Sequence, residues 1–442
     1  MDPQADSDDE VHAHQETPMR LALRPRPGTL ATALVALAFA APAAAQQNIE
    51  KLKQFKVATT DLNIPTVAQT GRNADAIRAN LSRIKLPEGF KIELFAVVPD
   101  ARHMAVAPST NMLFVGTRKT TVWAVTDRNS DGMADEVKSF APSLQFKVPN
   151  GVCWTRDGFL IVAEHNRVLN FPAAEFFYEG PDVAVIEVLG QGKLIPPEEE
   201  SFNHGARTCR IGPDGLLYIT LGQPFNVPPR EKLDLYNKVG IGGIVRMNAF
   251  DGSQREVFAT GIRNSVGQDF NPKDGSLWFT DNQTDGMGDD IPNGEINRAT
   301  GPGQFFGYPW KQGETRITEQ GYDKDPLPEN ITNAQVLTVA HAADLGLVFY
   351  TGKMFPQAYR GGLFSAQHGS WNRKEPVGAR VLFTAINEDG TAGKTEVFAE
   401  GWLDENGLYR GRPVDVAVMK DGSLLISDDF AGAIYRVTYQ SP

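Results

Sequence analysis

Apolar and polar residues alternate along most of the chain after residue 90, and short polar turns interrupt the alternation. A typical unit, CRIGPDGLLYITLG over residues 209–222, has an alternating segment, an Asp-Gly turn and a second segment of apolar and aromatic residues. Alternation fits a strand with one buried face, and an Asp-Gly turn between two such segments is typical of a β-hairpin. The chain is therefore predicted to consist of repeated hairpins.

Six copies of this unit can be counted, at residues 104–117, 151–164, 209–222, 268–282, 346–367 and 416–429. The fifth copy is divergent, because YRGG replaces the Asp-Gly turn. A unit of three or four strands that repeats at intervals of about 45 to 75 residues is typical of a propeller. We predict an all-β fold, a six-bladed β-propeller with a short N-terminal helical extension, and prefer it to an irregular β-sandwich because the hairpins repeat so regularly.

The segments before the propeller differ in character. The clearest helix candidate lies at residues 73–84, so residues 46–85 are predicted to be an N-terminal extension and residues 86–442 the propeller domain. Residues 19–45 combine arginines, an apolar run and three alanines before Gln46, which is typical of a signal peptide cleaved after Ala45. Residues 1–18 are acidic and are interpreted as a non-native upstream extension. We expect a periplasmic protein without stable membrane insertion.

Charge narrows the range of partners. The chain has 43 basic and 54 acidic residues, a formal net charge of −11, and no basic run in its body. This charge argues against nucleic acid or an anionic membrane as the main partner and is compatible with a small neutral substrate.

The cysteine content excludes two classes of site. Cys153 and Cys209 each lie on a predicted strand, ahead of an Asp-Gly turn. An oxidising compartment permits a disulfide between them, but we favour buried free thiols. Two cysteines cannot form a cysteine-rich zinc site, and no CxxCH haem motif is present.

Histidine offers one candidate for acid-base chemistry. The exported region has five histidines, none with a partner at the spacing of a transition-metal site: His103, His165, His204, His341 and His368. His204 stands just before a strand-turn-strand unit in SFNHGART. A hydrogen-bonded structural histidine is the commoner case, and a single general base is the alternative.

Two acidic segments could bind calcium. The first resembles the first nine positions of an EF-hand loop, with Lys138 in place of the final glutamate. Its oxygen-bearing members are Asp127, Asn129, Asp131 and Asp135. For this loop we favour a structural calcium site over an ordinary Asx-rich turn. The second segment, residues 280–297, is rich in Asp and Gly, and its composition fits a calcium site and a solvated acidic loop equally.

Three arginines stand at predicted strand entries: Arg207, Arg263 and Arg412. If these side chains converge on the propeller axis, they form a receptor for a polyanionic ligand, because guanidinium pairs with carboxylates in a bidentate manner. Together with calcium, they imply a metal-chelating ligand that carries carboxylates. The chain has no GxGxxG or P-loop that would indicate a nucleotide.

Over residues 86–440 the chain resembles the soluble quinoprotein glucose dehydrogenases and L-sorbosone dehydrogenases, which are six-bladed propellers that use pyrroloquinoline quinone (PQQ) and Ca²⁺. The motifs that carry the resemblance are LPEGFKIELFA, NHGARTCRIGPDG, GIRNSVGQDFNPKDG, DDIPNGEIN, FFGYPW and GRPVDVAVMKDG. GIRN is the most specific single match, and FYTGKMFPQAYRGGLFSAQHGSWNR is close to the sorbosone branch.

The resemblance implies a role for most of these residues. His204 would take the proton of the substrate hydroxyl while hydride moves to the C5 carbonyl of PQQ, and Arg263 would stabilise the developing negative charge. The cofactor contacts that it implies are Asn264, His368 and Arg412. The calcium ligands would come from the segment that contains Asn282, Gln283, Thr284, Asp289 and Asp290.

The chain departs from the glucose dehydrogenase pattern at three places. Gln223 stands where an acidic residue is expected to orient His204, and VPNGV lacks the Gln-Asn-Gly sequence. Val414 replaces a second basic residue, so that Arg373 or Lys374 would hold one PQQ carboxylate instead. These changes place the chain nearer the sorbosone branch.

We therefore expect a periplasmic PQQ- and Ca²⁺-dependent dehydrogenase that oxidises a sugar, an aldose or a sugar-derived aldehyde. Because no haem motif is present, electrons would pass to a separate cytochrome or quinone. Two alternatives stay open, a calcium-dependent propeller lactonase and a non-catalytic ligand-binding propeller.

Overall fold

Short strands make up most of the regular structure in the computed structural model, which describes residues 64–441. The strands are β1 Phe90–Val97, β2 Met104–Val106, β3 Leu113–Val115, β4 Val122–Thr126, β5 Glu136–Phe140, β6 Gly151–Trp154, β7 Leu160–Ala163, β8 Val168–Phe171, β9 Ile186–Leu189, β10 Cys209–Ile211, β11 Leu217–Leu221, β12 Gly243–Met247, β13 Glu256–Thr260, β14 Gln268–Phe270, β15 Leu277–Asp281, β16 Gly294–Ala299, β17 Gln304–Phe305, β18 Lys311–Gln312, β19 Thr315–Arg316, β20 Val336–Thr338, β21 Asp344–Phe349, β22 Leu363–Gln367, β23 Arg380–Ile386, β24 Ala392–Glu400, β25 Pro413–Val418, β26 Leu424–Asp428 and β27 Ala433–Tyr439. The α-helices are α1 Arg72–Leu81, α2 Ala174–Phe177 and α3 Leu233–Val239.

Six sheets form the blades of a propeller, as the sequence predicts. Their strand orders are β2-β3-β4-β5, β6-β7-β8-β9, β10-β11-β12-β13 with β17 added, β14-β15-β16-β20, β21-β22-β23-β24 and β25-β26-β27-β1. The first strand of each blade is the inner one. Successive inner strands contact each other from β2 through β6, β10, β14, β21 and β25 and back to β2, which closes the ring. All six predicted hairpins are thus confirmed.

The chain closes the ring with its N-terminal strand. β1 pairs with β27 in antiparallel register from Phe90 opposite Tyr439 to Val97 opposite Ala433, so the last blade contains both ends of the propeller. β1 is the outermost strand of the sixth blade, and its pairing with β27 joins the first and last parts of the chain in one sheet, which stabilises the ring. This role explains why the alternating segment at residues 86–96 precedes the first hairpin.

The described part of the N-terminal extension, residues 64–85, packs on the ring where it closes. The predicted helix is confirmed as α1, and its buried residues Ala74 and Ile77 belong to the core cluster between the fifth and sixth blades. In that cluster Phe90 lies edge-on to Phe355 and Phe398, with ring centroids 4.8 and 5.0 Å apart. Burial of aromatic side chains of this size is the main source of stability between blades.

The two cysteines form a disulfide, so the prediction of free thiols is wrong. Cys153 on β6 and Cys209 on β10 have Cα atoms 5.8 Å apart and are joined by an S–S bond. Counted from the Asp-Gly turns, the two positions are offset by one residue, because Cys153 pairs with Ile161 one step from the turn and Cys209 pairs with Ile219 two steps from it. Successive side chains of a strand point to opposite faces, so this offset lets the two cysteines face each other between the second and third blades.

Within residues 64–441, no helix is long and apolar enough to cross a membrane. The predicted upstream extension at residues 1–18 and the signal peptide at residues 19–45 lie outside the described residues.

Candidate active site

A cavity of about 210 Å³ lies at one end of the ring, where inner strands begin and second strands end. The loops that precede β2, β10, β14 and β21 line the cavity, and their contributions begin at Arg102, His204, Arg263 and His341, respectively. Loops that follow second strands contribute Arg118, Asn282, Gln283, Asp285, His368, Trp371 and Asn372. Strand ends and the loops that follow them are the usual positions of functional residues in such a scaffold.

His204 is held in the cavity wall by a main-chain contact. Its Nδ1 atom lies 2.6 Å from the backbone carbonyl oxygen of Gln223. A carbonyl only accepts, so Nδ1 carries the proton and Nε2 keeps its lone pair. None of the described residues bonds Nε2. The expected acidic partner is absent at Gln223, and the main chain of the same residue takes its place.

The electrostatic surroundings keep His204 neutral. Burial and the positive charge of Arg263 lower the pKa of His204 to about 3, with smaller effects from Arg118 and Arg207, while the contact to Gln223 opposes them. A neutral imidazole with a free nitrogen can accept a proton. The backbone of His204 has a φ of 53°, and two further cavity residues, His341 and Ala343, also have positive φ. Such left-handed residues cluster at functional sites.

A buried carboxylate fixes the loop that carries Arg263 and Asn264. Asp281, the last residue of β15, accepts the backbone N–H groups of Arg263 and Asn264 at 2.9 and 2.7 Å. The Arg263 guanidinium pairs with Asp285 at 2.9 Å. The Oδ1 atom of Asn264 is buried and has no partner among the described residues, so it is available to a ligand.

Asp281 faces a second buried carboxylate. Asp281 on β15 and Glu295 on β16 are cross-strand partners, and both side chains are buried. Burial and the nearby charge of Glu295 raise the pKa of Asp281 to about 7. Burial also raises the pKa of Glu295. Both shifts have the same direction, so the pair resists carrying two negative charges beneath the loop that Asp281 supports.

His368 and Arg102 share a carboxylate on the opposite side of the cavity. His368 Nε2 lies 2.7 Å from Asp429 Oδ1, and Arg102 pairs with Asp429 Oδ2. Burial favours the protonated form of Asp429, but Arg102 and His368 outweigh it and hold the pKa of Asp429 below its usual range. Arg102 also donates to Asn150 Oδ1 at 2.9 Å. The Arg102 guanidinium is thereby paired within the protein.

Comparison with known proteins identifies the family. The family model described as Glucose / Sorbosone dehydrogenase matches residues 187–436. The chain belongs to this family. An uncharacterized protein of Borreliella burgdorferi is 30% identical over 366 residues, which cover 81% of this chain and 92% of the relative. The aldose sugar dehydrogenase YliI of Escherichia coli is 25% identical over 260 residues, 55% of this chain and 62% of that enzyme.

A solved structure with the same fold is the PQQ domain of pyranose dehydrogenase from Coprinopsis cinerea. It has a TM-score of 0.64 and 17% sequence identity, and the match covers 80% of this chain and 97% of that domain. The likeness shows the fold of the glucose/sorbosone dehydrogenase propeller.

Six of the predicted site residues of this family member meet at the cavity: His204, Arg263, Asn264, Asn282, Gln283 and His368. The amide of Asn282 donates to the backbone oxygens of Asn264 and Asp344, and the amide of Gln283 donates to the Asp344 carboxylate. Both side-chain amides donate their N–H groups to other parts of the protein, so their oxygens can bind a ligand in the cavity.

Arg412 and Arg207 lie behind the cavity wall. Arg412 donates to the backbone oxygens of His368 and Gly369, and its guanidinium lies 4.8 Å from the centre of the Tyr409 ring. Arg207 is buried and donates to the backbone oxygen of His204 at 3.1 Å. Both arginines support the loops that carry the cavity histidines, and the structure does not bring their guanidinium groups into the cavity.

The predicted cofactor contacts Arg373 and Lys374 lie against the acidic loop. Arg373 pairs with Asp290 and donates to the backbone oxygen of Asp289, and the backbone N–H of Lys374 donates to the Asp289 carboxylate at 3.2 Å. Asp289 and Asp290 therefore bind Arg373 and the backbone of Lys374, and neither of the two acidic residues lines the cavity. Thr284 is also outside it, because its backbone N–H and hydroxyl both bond Gln312.

The first acidic loop uses its oxygens on its own backbone. Asp127 accepts the backbone N–H groups of Asp131 and Gly132, and Asp135 accepts those of Arg128 and Asn129. Asn129 bonds the Asp131 carboxylate at 3.0 Å. Within residues 64–441 no group of three or more His, Cys, Asp or Glu side chains is arranged to hold a metal ion. The calcium assignment of this loop stays a prediction.

The sequence analysis assigned no role to several cavity residues: Arg102, Arg118, His341, Trp371 and Asn372. Each lies within a few residues of an inner-strand start or a second-strand end, so position in the repeat was the available signal. Arg118 follows LFVGT and lies three residues after the end of β3. Asp285 and Asn372 are joined by a hydrogen bond of 2.7 Å.

Proposed function

We propose that this family member is an exported quinoprotein dehydrogenase that oxidises a sugar, an aldose or a sugar-derived aldehyde with PQQ in the cavity and His204 as the general base. One observation carries the proposal: His204 presents a free Nε2 to a cavity that three arginines also line, Arg102, Arg118 and Arg263. A neutral base beside fixed positive charges suits removal of a proton from a hydroxyl while negative charge develops nearby.

The cavity residues fit a carboxylate-bearing quinone. Three guanidinium groups supply donors for anionic oxygens, and the buried, unpartnered Oδ1 of Asn264 shows a polar position that the protein itself leaves unsatisfied. When bound, PQQ accepts two electrons and a proton from the substrate as hydride. The PQQ domain of the Coprinopsis cinerea enzyme has the same fold, which supports this choice of cofactor.

The chain's own residues have separate tasks in this proposal. His204 accepts the substrate proton at Nε2, and Gln223 keeps the ring in the correct tautomer through Nδ1. Arg263 is held against Asp285 and presents a fixed positive charge to the cavity. Asp281 holds the backbone of Arg263 and Asn264, so both side chains are positioned before substrate arrives.

Calcium is the second proposed cofactor. Asn264 Oδ1 and the side-chain oxygens of Asn282 and Gln283 are neutral oxygen donors at the cavity, and Ca²⁺ favours oxygen ligands. A calcium ion held by these oxygens would supply Lewis-acid polarisation of a carbonyl. Export through the signal peptide at residues 19–45, and electron transfer to a separate cytochrome or quinone, complete the proposal.

The test is a titration of the purified, calcium-loaded protein with PQQ, followed by sugar-dependent reduction of a dye. His204→Ala is expected to retain PQQ affinity and to lower kcat by about 10²- to 10⁴-fold, the usual contribution of a general base. Asn203→Ala, an exposed neighbour, is the control. Absence of PQQ binding, or a kcat unchanged in His204→Ala, would contradict the proposal. Lactone hydrolysis without PQQ would instead indicate a lactonase.

A further inference from the structure

The three cavity arginines differ in how the protein neutralises them. Arg102 pairs with Asp429, and Arg263 pairs with Asp285 at 2.9 Å. The guanidinium of Arg118 has no hydrogen-bond or ion-pair partner among the described residues, although it lines the same cavity. Arg118 is therefore the cavity arginine whose guanidinium has no direct partner among the described residues, although the carboxylates of Asp429 and Asp100 act on it through space.

The structure nevertheless holds Arg118 in a defined place. Its backbone N–H donates to Asp100 Oδ2 at 2.8 Å, and Thr117 closes the same turn through a hydroxyl bond of 2.6 Å to the Thr121 oxygen. The guanidinium lies 5.1 Å from the centre of the Phe202 ring, two residues before His204. Phe202 is 72% exposed, so this contact marks the rim of the cavity, and Arg118 is only half-buried.

We propose that Arg118 is a carboxylate receptor, which binds one carboxylate of an anionic ligand at the rim of the cavity beside His204. A guanidinium stacked on an aromatic ring keeps its N–H edge free, and that edge matches the two oxygens of a carboxylate. The ligand is a sugar acid such as a uronic acid, or the carboxylate-bearing cofactor. The second source rests on the proposed function, and the first extends that function to an anionic substrate class.

Occupation of Arg118 also affects the base. The positive charges of Arg263 and Arg118 contribute, after burial, to the low pKa of His204. A carboxylate on Arg118 offsets one of these charges and raises the pKa of His204 again, which makes the imidazole a better proton acceptor. Ligand binding and proton abstraction are thereby coupled through two residues of the same wall.

The first experiment uses the purified protein without PQQ and compares glucuronate with glucose, which differ in one carboxylate. Titration calorimetry is expected to show that Arg118→Gln weakens glucuronate binding by at least 10-fold. Arg118→Lys keeps the positive charge but loses the paired N–H donors of the guanidinium, so it should weaken glucuronate binding less than Arg118→Gln does. The His204 ring signals in NMR should titrate at higher pH with glucuronate in wild type and not in Arg118→Gln. Arg78→Gln, an exposed arginine on α1, is the control.

A second experiment distinguishes the two sources. If Arg118→Gln weakens PQQ binding at least 10-fold, the carboxylate belongs to the cofactor. If PQQ binding is unchanged and only the KM for glucuronate rises relative to glucose, it belongs to the substrate. If Arg118→Gln changes neither PQQ binding nor the binding and KM of glucuronate, the proposal is overturned. Failure of wild type to bind PQQ contradicts the proposed function alone, because the glucuronate titration requires no cofactor.

Discussion

The Nδ1 atom of His204 lies 2.6 Å from the backbone oxygen of Gln223, and this contact fixes the ring of the proposed base. A carboxylate in this place would also accept the Nδ1 proton, but it would add a negative charge and stabilise the protonated ring. The carbonyl fixes the tautomer with only a small effect of that kind. His204 therefore stays neutral in a cavity dominated by arginines.

Substitution of Gln223 should test the main-chain origin of this contact. Gln223→Ala keeps the carbonyl and loses the side-chain bonds to the backbone oxygens of Phe225 and Asn226, at 2.7 and 3.3 Å. We expect kcat to fall by less than about 10-fold, against about 10²- to 10⁴-fold for His204→Ala. The measurement is kcat of the loaded enzyme at saturating sugar. Equal losses in the two variants would show that the side chain of Gln223 is required.

The low pKa of His204 should make folding stability depend on pH in a defined direction. The folded protein keeps His204 neutral down to about pH 3, whereas the unfolded chain binds a proton below 6.5. Protons then favour the unfolded state, so stability falls as pH drops from 6.5 towards 3. In His204→Gln this loss should be smaller, by up to about 1.4 kcal/mol per pH unit.

The measurement is the free energy of unfolding of wild type and His204→Gln by urea denaturation between pH 4 and 7, with Asn203→Ala as the control. Burial raises the pKa of Asp415 and of Asp281 to about 7, which makes stability fall with rising pH in the same window. The difference between the variants, rather than either curve alone, isolates the histidine. Parallel curves for the two variants would contradict the low pKa.

Removal of the disulfide should lower stability without affecting catalysis. Cys153 and Cys209 are 56 residues apart and join the inner strands of two adjacent blades, away from the cavity residues. The double substitution to serine should cost about 2–5 kcal/mol, because the unfolded chain regains the freedom of that loop. Thermal denaturation with and without reductant checks the result, since reductant should affect wild type alone. A kcat changed in the folded variant would contradict the structural role.

The repeat pattern was sufficient to predict the fold. Alternation and polar turns, four of which contain Asp-Gly, identified all six hairpins, because the two strands of each hairpin are close in sequence. The pairing of β1 with β27 joins residues 90 and 439, and no local pattern indicates such a contact. The disulfide was not predicted for the same reason, because the Cα distance between Cys153 and Cys209 depends on how two inner strands converge.

The site was predicted in part, and the missed residues have a common cause. His204, Arg263 and Asn264 lie in motifs that resemble a known family, whereas Arg118 lies after an ordinary strand with no motif around it. Arg412, like Arg263, stands ahead of an inner strand, but its guanidinium turns to the backbone oxygens of His368 and Gly369. The direction of a long side chain depends on tertiary neighbours, and sequence position does not give it.

Asp281 should be a positioning residue for the loop of Arg263 and Asn264. Asp281→Asn leaves one acceptor oxygen for two backbone N–H groups, so one buried donor loses its partner at a cost of about 1–3 kcal/mol. We expect lower stability and a fall in kcat larger than any rise in KM, because the displaced groups act on the reaction. Glu295→Gln removes the neighbouring charge and leaves both bonds intact, so it should retain kcat. Urea denaturation and steady-state kinetics measure both effects.

Chelation should distinguish the two regions that the sequence offered for calcium. If Asn264 Oδ1 is a ligand, EGTA should abolish dye reduction, and Ca²⁺ should restore it better than Mg²⁺, which demands a stricter octahedral geometry. Asn264→Ala should raise the calcium concentration for half-maximal activity by about 10-fold or more, since it removes an oxygen from the proposed shell. Asp127→Ala alters only a loop whose oxygens bond its own backbone, so that concentration should not change. If calcium-dependent activity responds to Asp127→Ala and not to Asn264→Ala, the functional ion lies in the first acidic loop, and the proposed calcium site in the cavity is wrong.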